Sequence, residues 1–283
     1  MRTYLTVAAM ALGLATPTLA AAEDDSSWSL HGFGDVSAKT DYVTPRGVVV
    51  HTQGAAVQVL TGLSVVSPGG IAVYTYGWTD FNPGYGDVNI ELMNEFDFAL
   101  GVSAPLAKGL TGSVEYVQFT FPAGGPFDQH NIEFALKYAD TPKNSFSFNP
   151  YAKLFWAVDS KSSTVGFGKP EKTFDVELGL VPTYSGDGFT LSAPTWITVG
   201  PKSYWGSPVS GGTPDGNAGV ASTGLKVSAP LSFLKGGAKA SVYASAQYYH
   251  LINDNLVALK SALNSGDNDR DQLVLGVGLG FGF

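Results

Sequence analysis

The chain contains no cysteine. It therefore has no disulfide, no thiolate metal site and no cysteine nucleophile, and the missing lipobox cysteine excludes a lipoprotein. Arginine is almost absent: Arg2, Arg46 and Arg270 are the whole supply. Basic residues in general are few, with 16 Lys+Arg against 24 Asp+Glu. Nucleic-acid binding needs a basic surface, so that class is excluded. Charged residues make up only 14% of the chain. Beyond the first 22 residues no apolar run is long enough for a membrane helix. What is present instead is glycine, 35 residues of it, together with 12% aromatics and a mean hydropathy near zero. That composition fits neither an ordinary globular domain nor a helical membrane protein.

The first stretch reads as an export signal, residues 1–22. Met1-Arg2 supplies a basic start, Tyr4 to Leu14 an apolar core, and Ala15-Thr16-Pro17-Thr18-Leu19-Ala20-Ala21-Ala22 a small-residue cleavage region. Cleavage is expected after Ala20 or Ala22. With Arg2 removed, fifteen basic residues face 24 acidic ones, a net charge of −9. Residues 23–283 form one domain.

The dominant period of that domain is two. Leu273, Leu275, Val277, Leu279, Phe281 and Phe283 share one face, and Gln272, Val274, Gly276, Gly278, Gly280 and Gly282 the other. Residues 131–138 and 174–180 alternate just as cleanly. About twelve such segments occur, at 28–40, 55–66, 71–79, 94–104, 110–121, 130–139, 149–159, 173–184, 189–199, 220–229, 238–250 and 271–283. Each has roughly the 9–11 residues that a tilted strand needs to cross a bilayer. Short turns follow strands 2, 4, 6, 8 and 10; mostly longer loops, at 41–54, 80–93, 122–129, 160–172, 200–219 and 251–270, follow the others. Strict alternation puts all turns at one end of a sheet, as in outer-membrane barrels, with turns and both termini periplasmic. The expected fold is all-β: a single antiparallel transmembrane β-barrel of about twelve strands. Aromatics near strand ends, among them Trp28, Tyr42, Trp78, Phe96, Phe98, Phe121, Tyr138, Trp156, Tyr184, Phe189, Phe281 and Phe283, are read as interfacial girdles. The last loop breaks the pattern. Leu256, Leu259 and Leu263 follow Asn253-Asp254-Asn255 and precede Asn264-Ser265-Gly266, which predicts a short capped helix.

The terminal strand resembles the signal by which the barrel-assembly machinery accepts its clients. A final aromatic, Phe283, is preceded by apolar residues at alternate positions, Phe281, Leu279, Val277 and Leu275. The physical sense is pairing of an apolar strand edge with another sheet edge. Thr40-Asp41-Tyr42-Val43, Arg46-Gly47 and Gly54-Ala55-Ala56-Val57-Gln58, with Gly70 to Tyr74, Asn94 to Asp97 and Asn131 to Glu133, resemble a family of functionally uncharacterised proteobacterial outer-membrane proteins. That resemblance covers roughly residues 35–140 and implies a barrel without a known substrate. This chain has one residue more before Arg46-Gly47 than the family pattern and no proline before Ala55.

Charges facing lipid are costly, so charged strand residues are assigned to the lumen. The acids are Asp35, Glu95, Asp97, Glu115, Glu133, Asp175 and Glu177; the bases are Lys39, Lys137, Lys153, Lys226 and Lys239. Two readings follow. One is a water-filled, weakly cation-preferring pore for small polar solutes, which the small inward residues of the last strand favour. The other is a closed lumen in which these acids pair with Lys137, Lys153 and Lys226 and the last-loop helix folds inward. A third reading is a surface-binding barrel acting through residues 200–219, with Tyr204-Trp205 exposed. A lipid hydrolase is the enzymatic rival, but His31, His51, His130 and His250 match no spacing of such an enzyme, and the chain is read as a non-enzyme. His51 has no acidic neighbour at short spacing, and Asp267, Asp269 and Asp271 read as a solvated acidic loop without a calcium-loop glycine turn. No cofactor or metal is implied. The expected partners are outer-membrane lipid and the assembly machinery; the oligomeric state is left open. Changing Phe283 to Asp should sharply lower the amount of assembled barrel while export continues, read as the heat-modifiable band in outer-membrane fractions. Normal assembly of that variant would refute the terminal signal.

Overall fold

A computed structural model of the protein describes residues 27–82, 93–122, 128–158, 172–205, 216–232 and 238–283. The export signal read over 1–22 lies outside them. In chain order the strands are β1 (Ser29–Lys39), β2 (Tyr42–Val43), β3 (Val49–His51), β4 (Ala56–Val66), β5 (Ala72–Phe81), β6 (Met93–Ala107), β7 (Leu110–Thr120), β8 (Gln129–Tyr138) and β9 (Phe146–Ser147). They continue with β10 (Pro150–Ala157), β11 (Thr173–Leu180), β12 (Thr183–Ser185), β13 (Thr190–Ser192), β14 (Thr195–Val199), β15 (Ala218–Pro230), β16 (Lys239–Leu251) and β17 (Asp271–Gly282). One α-helix, α1 (Asp254–Leu263), and a 3-10 turn at Lys202–Tyr204 complete the described elements.

Every stave of the sheet is antiparallel to its chain neighbours, and the sheet closes on itself. β1 pairs with β4 from Ser29↔Val66 to Lys39↔Ala56 and, on its other edge, with β17 from Phe33↔Gly282 to Lys39↔Gly276. The ring continues through β5, β6, β7, β8, β10, β11, β14, β15 and β16 back to β17. Each of the twelve strands of this ring is thereby paired on both sides, which is what a lipid solvent demands of a sheet. The result is a twelve-stave antiparallel barrel, with tight turns at one end and longer connections at the other.

Two staves that the alternation pattern presents as continuous are broken. The segments at 173–184 and 189–199 each contain a proline that donates no ladder hydrogen bond. At Pro182 the chain passes from β11 to β12, and at Pro194 from β13 to β14. The neighbouring strands use the proline carbonyls instead: Ala193 donates to Pro182 at 2.8 Å and Gly224 to Pro194 at 3.0 Å. Ahead of the segment read at 149–159 lies the additional short strand β9, separated from β10 at Asn149, which takes a left-handed φ of 48°. The Asp140 carboxylate accepts the amides of Phe148 and Asn149 at 2.9 and 2.8 Å, and thereby holds this corner.

The outward face is a continuous apolar belt that includes Leu63, Val73, Leu100, Phe134, Leu178, Leu225, Leu275 and Val277, all exposed. A patch of this size is incompatible with water and fits a hydrocarbon surround. Trp28, Phe96, Phe98, Tyr138, Trp156, Tyr184, Phe189 and Phe283 lie on the outer surface. Tyr42 and Trp78 do not belong to a girdle: both are buried inside, their rings 5.5 Å apart. Tyr42 sits on the hairpin that follows β1, and that hairpin turns inward.

A contrast between the faces follows. Val277→Arg, in the middle of an outward face, should cost ~2–4 kcal/mol of folding stability in bilayers. Gly280→Ala on the same strand should change stability little, because a Cβ there meets only Ser241 Oγ at 3.5 Å and Asp35 Oδ2 at 3.7 Å. Denaturant titrations in vesicles, read by heat-modifiable gel mobility, would measure both. Equal effects would contradict the assigned faces.

Candidate functional site: the lumen and its inner plug

Strand parity brings Asp35, Lys39, Glu95, Asp97, Glu115, Glu133, Lys137, Lys153, Asp175, Glu177 and Lys226 to the inner face, with Lys239 exposed at the turn-end rim. Asp80, at the loop end of β5, joins them and is fully buried.

Four of the acids share one device. Tyr42 donates to Glu95 Oε2 at 2.7 Å, Tyr74 to Glu115 Oε2 at 3.0 Å, Tyr151 to Glu177 Oε1 at 2.7 Å and Tyr243 to Asp35 Oδ1 at 2.8 Å. Three of these tyrosines lie over a glycine directly opposite on the next strand: Tyr74 over Gly101, Tyr151 over Gly179 and Tyr243 over Gly278. A Cβ on any of the three glycines would fall about 2.5 Å from the ring or its hydroxyl. The glycines thus make room for rings that lie along the wall and carry a phenol to a carboxylate, a cross-strand pairing of aromatic and glycine. The small inward residues of the last strand do not simply widen the lumen: Gly278 is filled by Tyr243. The sequence shows inward tyrosines and inward glycines separately; only the register shows that they oppose each other.

The loop end of the lumen holds a plug. Its first part is the β2–β3 hairpin, whose turn is closed by Thr44 and Val48: Thr44 N–H donates to the Val48 carbonyl at 2.9 Å, and Val48 N–H to Thr44 Oγ1 at 3.1 Å. Gly47 takes a φ of 86° there, and its backbone lies so close to Val220 that a Cβ would sit 2.9 Å from the valine Cβ. Trp196 donates its indole N–H to the Pro45 carbonyl at 3.2 Å. The second part is α1, capped by the Asn253 side chain on the Asn255 amide. Leu256 and Leu259 bury against Val43, Val48, Val49, Val220 and Leu251. Asn264 reaches the Val49 carbonyl at 3.0 Å and so ties the helix to the hairpin. The third part is Tyr204-Trp205. Both are buried, with the indole N–H on the Asn217 carbonyl at 3.1 Å. The reading of Tyr204-Trp205 as an exposed contact is therefore corrected: their rings are inserted into the plug's apolar core, where they gain more by burial than in water.

Charges at the plug also depart from the reading by spacing. The cation that meets the lumen acids here is Arg46 at the hairpin tip, not a lysine: it is 3.1 Å from Glu133 Oε1 and 3.6 Å from Asp175 Oδ1. His51 finds its acid on the inner face of the barrel wall, Asp80 at 3.4 Å. Lys226 lies 3.6 Å from the centroid of the Tyr243 ring. Glu115 and Glu133 are directly opposite in register, an unfavourable like-charge pair. At the loop rim His250 meets Asp271 at 2.7 Å, and the Tyr116 hydroxyl lies 2.5 Å from His130. The acidic segment 267–271 is not merely solvated: buried Lys260 extends its amine to Asp267 Oδ2 and to the Asp269 carbonyl, both at 3.0 Å.

No protein-family model matches the chain, and no curated protein matches it in sequence. Among solved structures, the NanC porin superposes with a TM-score of 0.52 at 10% identity, covering 88% of this chain and 98% of that one. An outer membrane channel from Pseudomonas putida F1 gives a TM-score of 0.47 at 11% identity, covering 90% and 95%. The fold is that of a porin-like barrel. At such identity the likeness carries the architecture and nothing about a solute.

The Lys260 contact gives a pH dependence. The Asp269 amide, and then Lys260, hold the Asp267 carboxyl below the ordinary value of 3.8. A lowered folded-state value means that the contact contributes fully above 3.8 and is lost as pH falls through the lower, folded value. Hydrogen-exchange protection of α1 should stay level from neutral pH down to about 4 and then decline. Asp267→Asn should reduce protection at neutral pH and flatten the decline. Unchanged protection in that variant would show that the carboxylate does not hold the helix.

Proposed function

We propose that this barrel is an outer-membrane channel for small polar solutes, weakly cation-preferring and narrowed at its loop end by the plug. The observation that carries the reading is a set of inward polar atoms that no protein group satisfies: Asp97 Oδ1, Glu177 Oε2, Asn131 Oδ1 and Ser103 Oγ are buried with no hydrogen-bond partner. Polar atoms in such a setting are costly unless water reaches them. Water along the wall is the medium a polar solute needs. The carboxylates on β6, β7, β8 and β11, beside fewer lysines, set the sign of the field. Placement in the outer membrane rests on the apolar belt and on closure. Assembly there is proposed to proceed through the terminal strand ending at Phe281 and Phe283.

The packed core of the plug favours a second reading, a barrel closed at rest. Planar-bilayer conductance separates the two. A channel should show a modest preference for cations that grows at low ionic strength, as a screened field requires. Glu95→Gln with Asp97→Asn should reduce the preference without unfolding the barrel, because lumen substitutions tune selectivity. A wild type without steady conductance that opens when residues 254–263 are deleted would establish the closed barrel. Anion selectivity would overturn the field assignment.

A further inference from the structure

Of the two arginines among the described residues, Arg270 lies at the outer rim and Arg46 is carried into the lumen. The surroundings of Arg46 are specific. Its Nη2 donates to Glu133 Oε1 at 3.1 Å, and its Cζ lies 4.1 Å from the centroid of Phe155 and 5.5 Å from that of Phe119. Asp175, fully buried, faces it from β11. Glu133 and Asp175 both oppose Phe155 in register, so β8, β10 and β11 present carboxylate, ring and carboxylate side by side. Two acids and two aromatic faces suit a planar, delocalised cation; a compact ammonium would use the acids and gain less from the rings.

Arg46 fills this site imperfectly. Its backbone is pinned by the Trp196 indole on Pro45 and by the contact of Gly47 with Val220. Its Nε stops 3.6 Å from Asp175 Oδ1, an ion-pair distance that is too long for a hydrogen bond. One inward position further along β11, Glu177 keeps Oε2 buried without a hydrogen-bond partner. Asp175 also takes a hydrogen bond from Tyr204, and Glu177 takes one from Tyr151 at its other oxygen, so Arg46 shares these acceptors with phenols and engages only Glu133 by a hydrogen bond of its own.

We propose that Glu133, Asp175, Phe119 and Phe155 form a binding site for small guanidinium-type organic cations, and that Arg46 occupies it as a tethered occupant with which an entering cation competes. This deepens the channel reading and rests on it, by naming a class of solute. Competition follows from the tether: an arginine held at an effective concentration on the order of mM or higher masks the site from a dilute free cation.

The test is calorimetric titration of the folded barrel in detergent micelles with methylguanidinium, and with methylammonium for comparison. Wild type should bind methylguanidinium weakly. Arg46→Ala, with heat-modifiable mobility to verify folding, should bind it at least about tenfold tighter. Adding Glu133→Gln should remove about tenfold of that gain. Phe155→Leu in the Arg46→Ala background should weaken methylguanidinium more than methylammonium. If Arg46→Ala fails to fold, Arg46→Gln serves in its place, since it keeps the length of the side chain and removes the charge. A folded variant that binds no tighter than wild type, or that binds both cations equally, or that ignores Glu133→Gln, overturns the proposal and leaves Arg46 as a latch of the plug. Binding in micelles needs no open path. Guanidinium binding without bilayer conductance would sink the channel reading alone, and conductance without guanidinium binding would sink this site alone.

Discussion

The lipid outside the barrel is the constraint on which everything else depends. It accepts no unpaired backbone group, so the sheet closes, and it accepts no charge, so the carboxylates and lysines midway along the staves are turned inward. Closure then concentrates in one lumen what twelve separate staves carry singly. Asp35, Glu95, Glu115, Glu133, Asp175 and Glu177 come from five of them. Gathered on one inner face, these groups need partners that the barrel and its plug must supply.

The wall answers in two ways. Phenols from Tyr42, Tyr74, Tyr151 and Tyr243 donate to four of the acids, and three of those rings lie over opposing glycines. Hydrogen bonds to a charged acceptor are stronger than neutral ones and fix the orientation of the carboxylate. Part of the remaining need is met from the loop end, where the β2–β3 hairpin carries Arg46 to Glu133 and Asp175. That arrangement links electrostatics to shape. The hairpin that delivers the cation also brings Val43, Val48 and Val49 into contact with Leu256, Leu259 and Trp205. An apolar plug is thereby seated over an acidic lumen. A movement of this hairpin out of the lumen would also take the arginine from the acids.

Much of this architecture was legible in residue order. Alternation located the staves to within a few residues, because a strand with one lipid face and one water face writes its period directly. The helix after β16 was legible as well: Asn253 caps it, as its position before Leu256 suggests, and Ser265 and Gly266 end it with φ of 56° and 89°. The breaks at Pro182 and Pro194 were written in the sequence but masked by the apolar alternation around them. Trp78 was misplaced although it shares the parity of inward Tyr74 and Asp80 on β5, and Tyr42, Tyr204 and Trp205 were misplaced for a single reason. An aromatic near a strand end has the same local signature whether its loop turns toward lipid, toward water or into the lumen, and only packing distinguishes these.

By itself the sequence determined the class of fold and the face of most strand residues, since a period of two admits only two directions and lipid excludes charge from one of them. Tertiary structure decided which inward groups meet. Partners in a barrel are set by register between strands far apart in the chain, and by loops that fold back through the lumen. Glu133 and Arg46 are 87 residues apart in sequence, and His51 and Asp80 are 29 apart. No local spacing encodes those contacts. They arise when closure fixes the register and the hairpin, rather than hanging in solvent, buries its apolar residues inside.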